Sequence, residues 1–192
     1  KATTAFSGSA SIRATDVKIH GRVPLSVVTG MYIFSDSEFT TVNYGGYCKN
    51  NTYRGIEILQ DNRCVHQPMY LFNNITVNNS VKSSSLSDIS MYVKLGKSGN
   101  VSVSNSKFNG ASPGTDEPVI YLAKNDSSAI SLTFNKTTFT ASSGLLSQQA
   151  SIQGGALQFS ECTIQDVLYN NLPSGNPAWF LNSKLSSGAA VN

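Results

Sequence analysis

Acid–base chemistry on sugars needs two carboxylates a few ångström apart, and this chain has 11 acidic residues from which to choose. Two groupings stand out. Asp116 and Glu117 are adjacent in Gly110-Ala-Ser-Pro-Gly-Thr-Asp-Glu-Pro118, a polar connection from which both carboxylates could project into a groove. Glu57 and Asp61 lie in the longest irregular stretch, Thr40 to Pro68, together with Tyr44, Tyr47, Tyr53, Arg54, Arg63 and His66. Aromatic faces beside guanidinium and carboxylate groups suit the gripping of a saccharide, and Glu57 with Asp61 would make an acid/base pair if the fold joins them. The plainer reading of the same residues packs the tyrosines onto the body of the protein and pairs Glu57 with Arg54 or Arg63. Asp36 and Glu38 share a turn and read as solvated. Trp179, next to Phe180, points outward if Phe180 is core, as a sugar platform, a subunit contact or a cap.

Other chemistries find little support. No Ser-His-Asp arrangement, phosphate-binding Gly loop or cofactor motif is visible, so no cofactor is expected. Two histidines, His20 and His66, and three cysteines without a CxxC pair argue against a zinc site. Cys48, Cys64 and Cys162 are an odd set, better read as free or buried thiols than as a disulfide framework, although Cys48 and Cys64 could close a loop. Six Asn-x-Ser/Thr sequons, at Asn50, Asn74, Asn78, Asn100, Asn125 and Asn135, are weak signals in a chain so rich in Asn, Ser and Thr.

Charged residues make up 13% of the chain, half of the roughly 25% usual in globular domains. The surface is therefore polar through hydroxyls and amides, which suits neutral or carbohydrate ligands in an extracellular setting. A net charge of +3, with no Lys/Arg cluster, supplies no basic stripe for nucleic acid. No apolar run approaches the length of a membrane span. The chain begins at Lys1 without a charged leader and an apolar segment behind it, and reads as a soluble piece of a longer protein.

The elements that must position these groups are short and alternating. From Met31 on, runs such as Met31-Tyr-Ile-Phe34, Met69-Tyr-Leu-Phe72 and Ile130-Ser-Leu-Thr-Phe134 predict strands of three to five residues, bounded by Gly, Asn, Ser and Pro. Residues 1–30 read as entry strands or incomplete first rungs, and 31–192 as the regular body, with the long insertion at 40–68. One form recurs six times: an apolar anchor, a polar turn, then another apolar residue. The anchors are Phe34, Phe72, Val103, Phe134, Phe159 and Phe180, spaced 38, 31, 31, 25 and 21 residues apart. Repetition of one supersecondary unit on that scale predicts a solenoid whose stacked units share a core. The turn positions Asp36, Asn74, Asn105, Lys136, Glu161 and Asn182 should take left-handed backbone, which Asn tolerates better than most residues. A β-sandwich would also give many short strands, but no reason for the same strand, turn and closure six times.

The form Val101-Ser-Val-Ser-Asn105-Ser-Lys-Phe108, with its siblings across residues 31–186, resembles the repeats of right-handed parallel β-helix proteins, the pectate lyase-like group of polysaccharide lyases, glycoside hydrolases and bacteriophage tailspikes. Low charge, abundant Ser and Asn and uneven side loops look most like a tailspike or receptor-binding protein. That resemblance implies an all-β right-handed parallel β-helix standing as a homotrimer on a virion surface, recognising a bacterial surface polysaccharide. A polysaccharide depolymerase, hydrolase or lyase, and an adhesive β-solenoid without a saccharide site are the alternatives. No catalytic motif of the group can be matched to this sequence.

Overall fold

A computed structural model describes residues 7–8, 11–28, 30–42, 52–59, 68–79, 87–94, 98–110, 119–123, 129–140, 146–148, 156–165, 170–171 and 178–185. Among them are 21 strands in three sheets and no helix. The first sheet orders β1 (Ser7–Gly8), β4 (Leu25–Val27), β7 (Thr52–Leu59), β10 (Ser87–Lys94), β13 (Ile120–Leu122), β16 (Leu146–Gln148) and β19 (Asn170–Asn171). The second holds β2 (Ile12–Thr15), β5 (Met31–Ser35), β8 (Met69–Asn73), β11 (Ser98–Ser104), β14 (Ala129–Asn135), β17 (Ala156–Ser160) and β20 (Ala178–Leu181). The third holds β3 (Lys18–Gly21), β6 (Glu38–Thr41), β9 (Thr76–Asn79), β12 (Lys107–Asn109), β15 (Thr138–Thr140), β18 (Thr163–Gln165) and β21 (Lys184–Leu185).

Each strand from β1 to β18 pairs in parallel with the strand three places on, so the chain passes through the three sheets in turn and rises one rung per circuit. This is the topology of a β-solenoid, and it follows from the repeat. The anchors align directly: Ala14, Phe34, Phe72, Val103, Phe134, Phe159 and Phe180 are register partners from rung to rung of the second sheet. A seventh copy of the motif thus precedes the six legible ones. It escapes sequence reading because its anchor is the small Ala14. Strands also occupy part of the stretch expected to be an insertion, since Thr52–Leu59 is a strand of the first sheet.

The predicted turn conformation holds throughout. Asp36, Asn74, Asn105, Lys136, Glu161 and Asn182 have φ between 49° and 53°, and Asp16 joins them at 56°. Each costs strain for a side chain with a Cβ, offset by a backbone ladder that runs unbroken through the corner. Asn74 N–H donates to Ser104 O at 2.9 Å, and Asn105 N–H to Asn135 O at 2.9 Å. Side chains add to it unevenly: Asn74 Nδ2 donates to Asp36 Oδ1 at 2.7 Å, whereas Asn105 Nδ2 reaches Asn73 Oδ1 at 2.9 Å. Further along, Lys136 and Glu161 meet as an exposed ion pair at 3.8 Å.

The residue after the turn faces inward, and where it is Ser or Cys its side chain bonds to buried backbone. Ser106 Oγ donates to Ser104 O at 2.6 Å and accepts the Ile75 N–H at 3.1 Å. Ser37 makes the same two bonds, to Ser35 O and from Val17 N–H. Cys162 fills the equivalent place, its thiol directed at Ser160 O and Phe134 O. Burial raises its pKa, the desolvated thiolate being the disfavoured form.

Alternation sends one set of side chains into a shared core. Tyr32 and Tyr70 stack at 5.7 Å, Phe34 and Phe72 at 5.9 Å, and Phe134, Phe159 and Phe180 form a continuous stack with steps of 5.1 and 4.8 Å. Phe39, Phe108 and Phe139 come from the third sheet and meet these rings edge-on. The Tyr70 hydroxyl, deep in this core, donates to Val28 O at 2.7 Å, so its burial leaves no polar cost.

Candidate functional site

The described residues of the stretch 40–68 bring their chemistry to the outer face of the first sheet. Within β7 the buried residues Ile56 and Ile58 alternate with the outward Glu57. Its register partners are Ser26 on β4 and Tyr92 on β10, and Tyr92 pairs in turn with Tyr121 on β13. Four outward side chains therefore form one line, a hydroxyl, a carboxylate and two phenols, at the rung spacing of about 4.8 Å.

Arg54 joins this line from the same strand. Residues three apart on a flat strand face opposite sides, so the meeting of Arg54 and Glu57 requires a bend between them. Gly55 sits at the bend. A Cβ there would lie 2.4 Å from Val77 Cγ1 and 2.8 Å from Ser90 O, so the corner closes only around glycine. The guanidinium then does two things. Nη1 donates to Glu57 Oε1, and Cζ lies 3.5 Å from the centroid of the Tyr92 ring in a cation–π contact. Tyr92 stacks in turn on Tyr121 at 5.4 Å with the rings 6° apart.

Glu57 is well held. Ser26 Oγ donates to Oε2 at 2.8 Å while Arg54 occupies Oε1, and the side chain is 13% exposed. Both carboxylate oxygens are engaged, and Arg54 supplies the compensating charge. Such a group can orient a neighbour or accept one further hydrogen bond. Two other carboxylates are similarly committed: Asp36 accepts from Asn74, and Glu38 Oε1 accepts from Thr40 at 3.1 Å and Asn78 at 2.9 Å.

Of the residues singled out from sequence, the structure gathers Arg54 and Glu57, and places Tyr53 near them as a buried residue of β7, 6% exposed. Trp179 lies on β20 in register with Gln158, on the second sheet and away from this line. Tyr44, Tyr47, Asp61, Arg63, Asp116 and Glu117 lie outside the described residues, as do Cys48, Cys64 and His66. Ser26, Tyr92 and Tyr121 were missed. The signal was present, because Met91-Tyr-Val93 and Ile120-Tyr-Leu122 each flank a tyrosine with apolar residues that must face inward. Only the register shows that the two tyrosines are adjacent to each other and to Glu57.

Among the described residues no three His, Cys, Asp or Glu side chains gather closely enough to hold a metal ion. Comparison of the chain with protein families, curated proteins and solved structures yields no match.

Proposed function

We propose that this chain is a right-handed parallel β-helix of the pectate lyase-like kind that recognises saccharide, a receptor-binding protein of bacteriophage-tailspike type acting at the virion surface on a bacterial surface polysaccharide. On this reading the column stands as a homotrimer. The observation that carries it is the outward line of Ser26, Glu57, Tyr92 and Tyr121, with Arg54 laid over Tyr92. An extended polysaccharide lying along the column meets the phenols of Tyr92 and Tyr121 and the guanidinium of Arg54, with Glu57 held behind them by the buried Ser26. These groups are already fixed by stacking and ion pairing, so little side-chain freedom is lost on binding. The low charge of the chain agrees with a ligand gripped by hydrogen bonds and aromatic contact.

Binding is favoured over depolymerisation by the state of Glu57. Hydrolysis of a glycosidic bond needs one carboxyl group able to give up a proton and a second about 5–9.5 Å away, and Glu57 has both oxygens engaged. A depolymerase would draw on other acids of the chain, with Asp61, Asp116 and Glu117 the candidates from sequence.

The test is an array of bacterial capsular and O-antigen polysaccharides probed with the intact chain, followed by Tyr92→Ala and Tyr121→Ala on any hit. Each variant should weaken binding about tenfold, the loss of one aromatic contact. No hit on the array, or a hit untouched by both changes, sinks the proposal. Release of reducing ends from the same polysaccharide would move the reading to the depolymerase. Sedimentation equilibrium tests the trimer, and a monomer throughout the micromolar range counts against it.

A further inference from the structure

The outer face of the second sheet differs from the other two. Its strands β5, β8, β11, β14, β17 and β20 contain no charged residue, and the sheet's single charge on a described strand is Arg13 of β2, at its end, in register with Ile33. The outward row of the third sheet, by contrast, carries Lys18, Glu38, Lys107 and Lys184. Among the described residues the large apolar side chains that stand exposed are Met31 at 44%, Met69 at 40% and Leu181 at 44%, and all three belong to the second sheet's outer face. Ile33 and Leu71 lie on the same face, half-buried and in register with each other, one row from the paired Met31 and Met69. The rungs beyond continue the face with small neutral groups such as Ser102 and Thr133.

We propose that this face is the surface through which copies of the chain associate, with Met31, Ile33, Met69, Leu71 and Leu181 as its apolar contacts. The inference goes beyond the trimer proposed above and names a face on which two copies meet about a two-fold axis. Depletion of charge with exposed methionine is the composition of an interface core rather than of ordinary surface. A second copy is the occupant that fits, because from β5 to β20 a face of apolar and hydroxyl groups complements itself without juxtaposing like charges, Arg13 standing on β2 at the edge of the sheet. The size is also adequate. Six strands spaced about 4.8 Å apart and five residues long cover roughly 24 by 16 Å, close to 400 Å² in projection. Accessible area exceeds projection on a surface of side chains, so two such faces together approach the ~1,000 Å² of a specific interface.

The three methionines provide the experiment, since Met91 is fully buried in the core and serves as an internal reference. The intact chain is treated with dilute hydrogen peroxide at concentrations well below and well above its association midpoint, found by sedimentation velocity, and sulfoxide is quantified at each site by mass spectrometry. Met91 should react slowest at both concentrations, and Met31 and Met69 should slow by about tenfold on association. In parallel, Met69→Lys should weaken association at least tenfold while Thr138→Lys, on the third sheet, leaves it unchanged, with thermal melting showing that each variant folds. Association that leaves Met31 and Met69 equally reactive, or that survives Met69→Lys, overturns this face while sparing the assembly itself. A chain monomeric at every concentration overturns both. Protection of the two methionines by a polysaccharide in a monomeric chain would make the face a ligand surface and overturn the inference, whereas glycan binding lost on Tyr92→Ala bears on the first sheet alone.

Discussion

Replacing Phe134 with alanine tests whether the stability of this column resides in nearest-neighbour contacts between rungs. Phe134 is fully buried. It stacks on Phe159 at 5.1 Å and meets Phe139 and Phe108 edge-on at 5.2 and 6.0 Å, so it touches rungs on both sides and the facing sheet. Burial of a phenylalanine and the cavity left by its removal together cost about 3–5 kcal/mol. Three aromatic partners, each worth about 0.5–1.5 kcal/mol beyond area, place Phe134→Ala at the upper end, near 4–5 kcal/mol. Phe180 is the contrast. It is half-buried and stacks on Phe159 at 4.8 Å, so Phe180→Ala should cost about 1.5–2 kcal/mol. The assay is equilibrium urea unfolding followed by far-UV circular dichroism, with both the midpoint and the slope compared, because a solenoid cut in its middle can lose cooperativity as well as stability. A loss below about 2 kcal/mol for Phe134→Ala, or equal losses at the two sites, would refute the reasoning.

Three further outcomes follow from particular contacts. Gly55→Ala should destabilise by about 2–3 kcal/mol in the same assay, because its Cβ collides with Val77 Cγ1 and the Ser90 carbonyl. The displaced strand should also draw Arg54 off Tyr92, read as a change in tyrosine fluorescence. Asp16→Asn should stabilise by roughly 0.5 kcal/mol, since Asp16 and Asp36 occupy the same turn position on adjacent rungs and an amide can donate there as Asn74 does to Asp36. Unchanged or lowered thermal stability would contradict it. Cys162 has a pKa raised by burial, so its share of stability is complete below the ordinary thiol range, ~8.5, and is lost as pH rises through the higher folded value. Wild-type stability should therefore fall more steeply than that of Cys162→Ser above that range, and a parallel decline in both proteins would show that the thiol plays no part.

The architecture was legible because its cause is periodic. A parallel coil needs an inward apolar residue, a left-handed turn and an inward closure on every rung, and side chains of recognisable type fill those places from Phe34 to Phe180. Where the type is disguised, reading stops. Ala14 holds an anchor position that looks like any alanine, whereas Lys136 and Glu161, which are not Asn, were placed at their left-handed turns by the spacing of the repeat alone.

The candidate site was legible only in part, for a different reason. Sequence placed Arg54 and Glu57 together as charged neighbours three residues apart in an unusual stretch. It gave no hint that a glycine bend turns both to the same face, nor that Tyr92 and Tyr121 stand beside them. Those two lie 35 and 64 positions beyond Glu57 in the chain and one and two rungs away in space. Distances along the chain between such residues depend on the loops, which vary from rung to rung, while their adjacency depends on strand register alone. By itself the sequence determined the local rules: strand, turn, closure, and a surface polar without charge. The tertiary structure decided which outward residues share a face, because parallel stacking converts equivalent positions on distant strands into neighbours about 4.8 Å apart.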